Sequence, residues 1–182
     1  MEGAALFMGM KQRRRSSINK VFVGDSLRLS EKDAVTKYMA KHGDKRVLFS
    51  DSVVKVNKRL KMQERILLIS ESGIYNLDGS HKVKRRIAFQ DLSSVLMSNL
   101  PDNFFVLRVP GEYDYLFVSS RKTEIVLRLM AAYERSLGTA LPVEFSCKFE
   151  YQVEPGFIRE LEFQATDGGV TTQFHSRKAK QL

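Results

Sequence analysis

The chain has 182 residues, with one cysteine, four prolines and no tryptophan. A lone Cys147 rules out an internal disulfide framework and suits a reducing compartment. Set in the alternating run from Val143 to Val153, it reads as a small buried hydrophobe. No apolar run approaches the roughly 20 residues that span a bilayer. The stretch from Met1 to Met10 is weakly apolar, too short for a signal peptide, and precedes its basic cluster instead of following it, so it reads as a lead-in. There is no G-x-x-x-x-G-K-[ST] loop to cradle a nucleotide and no H-E-x-x-H. His42, His81 and His175 stand far apart, and the carboxylates are too scattered to show a paired acid and base. Neither catalysis nor a metal or cofactor is expected.

What the chain has in excess is positive charge, and it is unevenly placed. Residues 1–65 hold 16 Lys/Arg against 7 Asp/Glu, whereas residues 66–182 hold 14 of each, so the whole net charge of +9 sits in the N-terminal third. Such asymmetry points a basic face at a polyanion: an anionic membrane leaflet, a nucleic acid or an acidic protein. Binders of single-stranded nucleic acid interleave aromatics with their cations so that bases can stack. No aromatic falls between Phe49 and Tyr75, where the charge is densest, and there is no recognition-helix or zinc-finger pattern, so nucleic acid is not the expected partner.

Five cations are packed into the stretch from Lys55 to Arg65, between two β-patterned runs, which reads as a hairpin with a charged tip. Arg forks and Lys point charges clustered on a rigid hairpin suit a compact, multiply charged anion. The residues Val47, Phe49, Val53 and Lys55 share one parity, so a face that begins as core ends as a cation at the rim.

Strands are expected at about 47–57, 65–70, 73–77, 83–89, 92–97, 104–109 and 113–118, separated by turns such as Ser72-Gly73, Asp78-Gly79 and Pro110-Gly111. A short helix is expected over 30–41, opened by Ser30 as cap, with Val35, Tyr38 and Met39 on one side. The clearest helix runs from Arg121 to Leu137. Its stripe is Ile125, Val126, Leu129, Met130, Tyr133 and Leu137, and Gly138 ends it. Glu124, Glu134, Arg121, Lys122, Arg128 and Arg135 make a mixed polar face, unlike the cation-rich face of a membrane-surface helix.

Seven short antiparallel strands followed by one amphipathic helix is the order of a pleckstrin-homology-type barrel, in which the helix plugs one open end and leaves the other free to bind. The expected fold is therefore mostly β, a seven-stranded antiparallel barrel capped by a C-terminal helix. The expected division is a basic N-terminal extension with a short helix (1–46), the barrel core (47–138), an additional β-hairpin (139–166) and a flexible tail from Asp167 (167–182).

The ordered series Arg13-Arg-Arg-Ser-Ser-Ile18, Phe22-Val-Gly-Asp25, Val47-Leu-Phe-Ser-Asp51, Val54-Lys-Val-Asn-Lys-Arg59, Arg65-Ile-Leu-Leu-Ile69, Lys84-Arg-Arg-Ile87, Asp102-Asn-Phe-Phe-Val-Leu107, Tyr113-Asp-Tyr-Leu116 and Lys122-Thr-Glu124 resembles the tail homology 1 domain of class I myosins over roughly residues 11 to 165. The resemblance implies a non-enzymatic, membrane-binding tail with a pleckstrin-homology-like core, recognising anionic phospholipids and phosphoinositides. It implies a peripheral cytoplasmic location at the plasma membrane, endocytic membranes or cell cortex. Actin, ATP and calmodulin-type light chains would be met only through parts of the parent motor absent from this chain. In the family's phosphoinositide pattern, one basic residue late in the first strand and another early in the second fall on Lys55 and Arg65, with the loop partner open among Lys58, Arg59 and Lys61. Lys11, Arg13, Arg14, Arg15 and Lys20 are expected to add attraction to any anionic surface, and phosphorylation of Ser16 or Ser17 would weaken it. The alternative is a protein-interaction tail docking on an acidic scaffold.

Overall fold

The computed structural model describes residues 21–178, so the expectations for Lys11, Arg13, Arg14, Arg15, Ser16, Ser17 and Lys20 lie outside the described residues. A 3-10 turn at Leu29–Glu31 and helix α1 (Asp33–Ala40) lead into β1 (Phe49–Val56), β2 (Met62–Ile69), β3 (Gly73–Leu77), β4 (Val83–Ala88), β5 (Ser94–Met97), β6 (Phe104–Arg108) and β7 (Tyr115–Val118). Helix α2 (Lys122–Leu137) follows, then β8 (Val143–Phe145), β9 (Lys148–Glu154), β10 (Phe157–Thr166) and β11 (Gly169–Lys178). The first eight strands form one sheet in the order β4-β3-β2-β1-β7-β6-β5-β8, antiparallel except where β8 runs parallel to β5; the last three form a second sheet, β11-β10-β9. Seven antiparallel strands followed by a long helix is the pleckstrin-homology-like order expected.

Strand parity decides which side chains meet. Phe49 pairs with Ile69 and Val53 with Arg65, so Phe49, Val53, Leu67 and Ile69 share the inner face. There they form the main core with Ile125, Val126, Leu129, Ala132 and Tyr133 of α2. The alternate positions face outward and are covered as well. Ile66, Leu68 and Leu77 pack on Leu29, Val35 and Met39 of the N-terminal extension. Val56, Leu96, Val106 and Leu116 pack on Phe149, Tyr151, Leu161 and Phe163 of the second sheet. A sheet covered on both faces explains why β3 and β5 are buried at every position.

Helix α2 ends as expected: Gly138 takes a left-handed conformation (φ 71°) and donates its N–H to the Glu134 carbonyl at 2.8 Å. Its first turn departs from expectation. Lys122 and Glu124, assigned by charge to a solvated face, are buried. Lys122 Nζ bonds Asp102 Oδ1 at 2.9 Å and the Phe104 carbonyl at 3.0 Å, while Glu124 accepts the Gly24 N–H at 3.0 Å and pairs with Arg121 at 3.2 Å. Ser30 is not the cap of α1, because it lies inside the preceding 3-10 turn. Lys32 occupies the cap position, and the turn is held by Asp25, whose two carboxylate oxygens accept the Leu29 and Ser30 N–H groups at 2.9 Å each. Asp44 fastens the extension to the sheet by accepting bonds from Tyr75 Oη (2.5 Å), Ser72 Oγ (2.8 Å) and Arg86 Nη2 (3.4 Å). Burial alone would raise the Asp44 pKa, but these hydrogen bonds and the Arg86 charge outweigh it and hold the carboxyl below its ordinary value.

Two further expectations are corrected at the C-terminal end. The run from Val143 to Val153 is two strands in different sheets, and Cys147 sits at the crossing, exposed, with Sγ 3.4 Å from Asn99 Oδ1. The stretch from Asp167 does not fray over 169–178. Thr166 pairs with Gly169 around an Asp-Gly turn, β11 pairs with β10 along its whole length, and Phe174 meets the Phe104 ring edge-on at 6.1 Å. The additional hairpin is thus a three-stranded sheet.

Candidate functional site

The pairing of Phe49 with Ile69 marks one end of β1 and β2, and that of Val56 with Met62 marks the other. Helix α2 covers the first end, where Tyr133 packs on Phe89 just beyond β4 at 5.8 Å between ring centroids. At the other end the inner face continues past its last apolar residues into Lys55, Gln63 and Arg65. Lys55 stands opposite Gln63, two register positions from Arg65, which stands opposite Val53. Both cations picked out by strand parity therefore lie on the core-facing side at the open end.

Lys55 leans toward β7. Its Nζ is 3.3 Å from Tyr113 Oη and 5.1 and 4.7 Å from the centroids of the Tyr113 and Tyr115 rings, which stack 4.6 Å apart. Two aromatic faces hold the ammonium without neutralising it. Burial, and then hydrogen bonding with Tyr113 and Glu112, pushes the Tyr115 hydroxyl pKa far above its ordinary value, so it remains a neutral donor, bonding Glu112 Oε1 at 2.9 Å. Arg65 donates to the Glu64 carbonyl at 2.8 Å and to Gln63 Oε1 at 3.2 Å, and among the described residues it has no carboxylate partner. Lys55 lines a cleft of about 330 Å³ with Lys58, Tyr113 and the Tyr151, Val153 and Glu154 side of β9, whereas Arg65 lines a separate one of about 600 Å³ with Glu64, Val53 and His81. The two cations share a face but not a cavity.

The hairpin tip carries the other three. Lys58 Nζ is bound by Glu154 Oε2 at 2.8 Å, and the exposed Arg59 and Lys61 have no ion pair among the described residues. Asn57 Oδ1 accepts the N–H groups of Arg59 (2.9 Å) and Lys61 (3.0 Å), and Arg159 Nη2 donates to the Lys58 carbonyl at 2.7 Å, so the tip is braced from inside and from the second sheet.

A third inner-face cation, Arg85, went unassigned in the sequence, and it lines a cleft of its own with Gln90, Asp91 and Glu112. Arg85 pairs with Asn76 and shares the inner face with Ile87, while its Nε and Nη2 reach Glu112 Oε2 at 3.0 and 2.8 Å. The parity that picks out Lys55 also picks out Arg85, two residues before a core isoleucine. Its neighbours have structural work: Lys84 pairs with Asp78 at 2.8 Å, and Arg86 points outward to Asp44. A cluster of Glu160, Glu162 and His175 on β10 and β11 brings ligand-type atoms within 4.8 Å of one another, but Lys148 Nζ lies 2.9 Å from Glu160 and already supplies the positive charge there.

A helix-capped antiparallel sheet whose open end carries Lys55 and Arg65 on its inner face defines a pleckstrin-homology-like module with a cationic rim. Residues 13–182 match the family described as "Unconventional myosin tail, actin- and lipid-binding", and the chain belongs to that family. It is 28% identical over 172 residues to the myosin IB heavy chain of Dictyostelium discoideum and 31% identical over 173 residues to the myosin heavy chain IB of Acanthamoeba castellanii, with 90% of this chain covered in each case. The chain spans about 15% of the length of each of these relatives. Among solved structures, the N-terminal PH domain of human ARAP2 is similar over 50% of this chain and 83% of that domain, with a TM-score of 0.41 and 17% identity. The chain is thus a tail module and not a motor, and no helix among the described residues is long and apolar enough to cross a membrane.

Proposed function

We propose that this chain is the peripheral attachment of a class I myosin to anionic membrane, with phosphoinositide headgroups preferred at the mouth formed by Lys55 and Arg65 and with Lys58, Arg59 and Lys61 on the tip beside it. The observation that carries this reading is the continuation of the core face of β1 and β2 into Lys55 and Arg65 at the end that α2 leaves uncovered. Near-surface cations gain about 1 kcal/mol each from an anionic leaflet, so the tip and mouth together suffice for reversible binding that salt weakens. Lys11, Arg13, Arg14, Arg15 and Lys20 would add attraction indifferent to headgroup. The motor to which this tail belongs would be held at the plasma membrane, endocytic membranes or cortex, with ATP and light chains engaged by other parts of the parent.

Co-sedimentation with phosphatidylserine vesicles, with and without phosphoinositide at matched total charge, tests the reading. Tighter binding in the phosphoinositide arm is expected. Equal binding in both arms reduces the site to a general anionic surface. Absence of binding to either, with retained binding to an acidic protein such as filamentous actin, favours the scaffold-docking alternative, which the family description keeps in view.

A further inference from the structure

The β1–β2 tip carries apolar side chains where a merely charged loop would have none. Leu60 is 37% exposed and Met62 is 67% exposed, two of the few large hydrophobic residues left open to solvent among the described residues. Leu60 also has φ of 60°, in the left-handed region that a leucine rarely adopts. The loop holds it there: Asn57 Oδ1 binds the N–H groups on either side of Leu60, the Leu60 N–H bonds the Asn57 carbonyl at 2.9 Å, and Arg159 clamps Lys58 from the second sheet. Glycine or asparagine would fit this backbone without strain. A strained, braced and outward-facing leucine is the kind of outlier from which a functional reading legitimately starts.

We propose that Leu60 and Met62 form a wedge that enters the interfacial region of an anionic bilayer, with Arg59 and Lys61 meeting the headgroups around it. The proposal rests on the membrane-binding reading given above and adds a nonpolar component to it. Charge complementarity selects the occupant. Leu60 lies directly between two cations that have no ion pair among the described residues, and the tip is at the same end of the sheet as Lys55 and Arg65. A rigid tip loses little conformational freedom on insertion, so most of the transfer of its two side chains out of water is retained as affinity.

The absence of native tryptophan makes a Leu60→Trp variant a single-site reporter. On phosphatidylcholine–phosphatidylserine vesicles carrying phosphoinositide, its emission should shift to the blue and be quenched by lipids brominated on the acyl chain near the headgroup. A Leu60→Gly, Met62→Ser variant should melt close to the parent, since glycine relieves the left-handed backbone, yet bind the same vesicles at least about tenfold more weakly. A parent protein that fails to bind these vesicles overturns both the membrane reading and the wedge. A parent that binds while the Leu60→Trp indole stays in water, or while the double variant binds equally well, overturns the wedge alone. A blue shift that appears only on concentrating the protein without lipid assigns the tip to a second copy of the chain and also overturns it.

Discussion

Lys122 Nζ lies 2.9 Å from Asp102 Oδ1, with the two side chains only 4% and 3% exposed. This pair ties the first turn of α2 to the loop between β5 and β6, and Asp102 also accepts the Phe104 N–H at 2.8 Å and a bond from Ser98 Oγ. Removing one member leaves a buried charge without its partner. Lys122→Ala should therefore cost about 3–5 kcal/mol in urea unfolding. A loss below 1 kcal/mol would mean that the pair is not shielded from water.

The apolar stripe of α2 gives a second prediction. Leu129 is 1% exposed and packed in the main core, so Leu129→Ala should lower stability by about 2–5 kcal/mol. Vesicle binding by the protein that remains folded should be unchanged. A variant that melts like the parent and loses vesicle binding would place the stripe against lipid.

The Asp44 network predicts a pH dependence of known sign. Its carboxyl pKa is lowered in the folded protein, so its contribution to stability is present above the unfolded value, about 3.9, and is lost as pH falls through the lower folded value. Asp25 and Glu71 are lowered as well and act in the same direction. Stability measured between pH 7 and pH 2 should fall steeply at the acid end. Asp44→Asn should be less stable at neutral pH and show a shallower acid decline.

Glu112 sets how much of the Arg85 charge the mouth can use. Because Glu112 accepts both Arg85 bonds, Glu112→Gln should free that cation and tighten phosphoinositide binding several-fold, whereas Arg85→Ala should weaken it. Titration with a soluble inositol polyphosphate separates the two variants. Equal affinities in both would mean that Arg85 takes no part in binding.

Much of this architecture was legible because periodicity reports burial. The stripe from Ile125 to Leu137 with Gly138 after it, and the parity that runs from Phe49 to Lys55, depend only on local geometry. What was misread depends on distant partners. Lys122 and Glu124 look solvated until Asp102 and Gly24 are brought against them, and Cys147 looks buried until the chain is seen to change sheets there. The run after Asp167 is rich in Gly and Thr, yet the Asp167-Gly168 turn with Val170, Thr172 and Phe174 alternating behind it is a hairpin signal. Arg85 was hidden in a basic triplet whose three members take three different partners.

The central claim is that Lys55 and Arg65 recognise a phosphoinositide headgroup as rim cations that the fold does not need. The most direct measurement is the affinity of a folded Lys55→Ala, Arg65→Ala protein for phosphoinositide-containing vesicles, compared with charge-matched phosphatidylserine vesicles. Each lost charge-assisted contact should cost about 1.5–3 kcal/mol, or roughly tenfold to a hundredfold, in the phosphoinositide arm, against a smaller loss of about 1 kcal/mol per charge in the phosphatidylserine arm. Unchanged phosphoinositide binding by the folded double variant, or an equal loss in both arms, would contradict the assigned mouth.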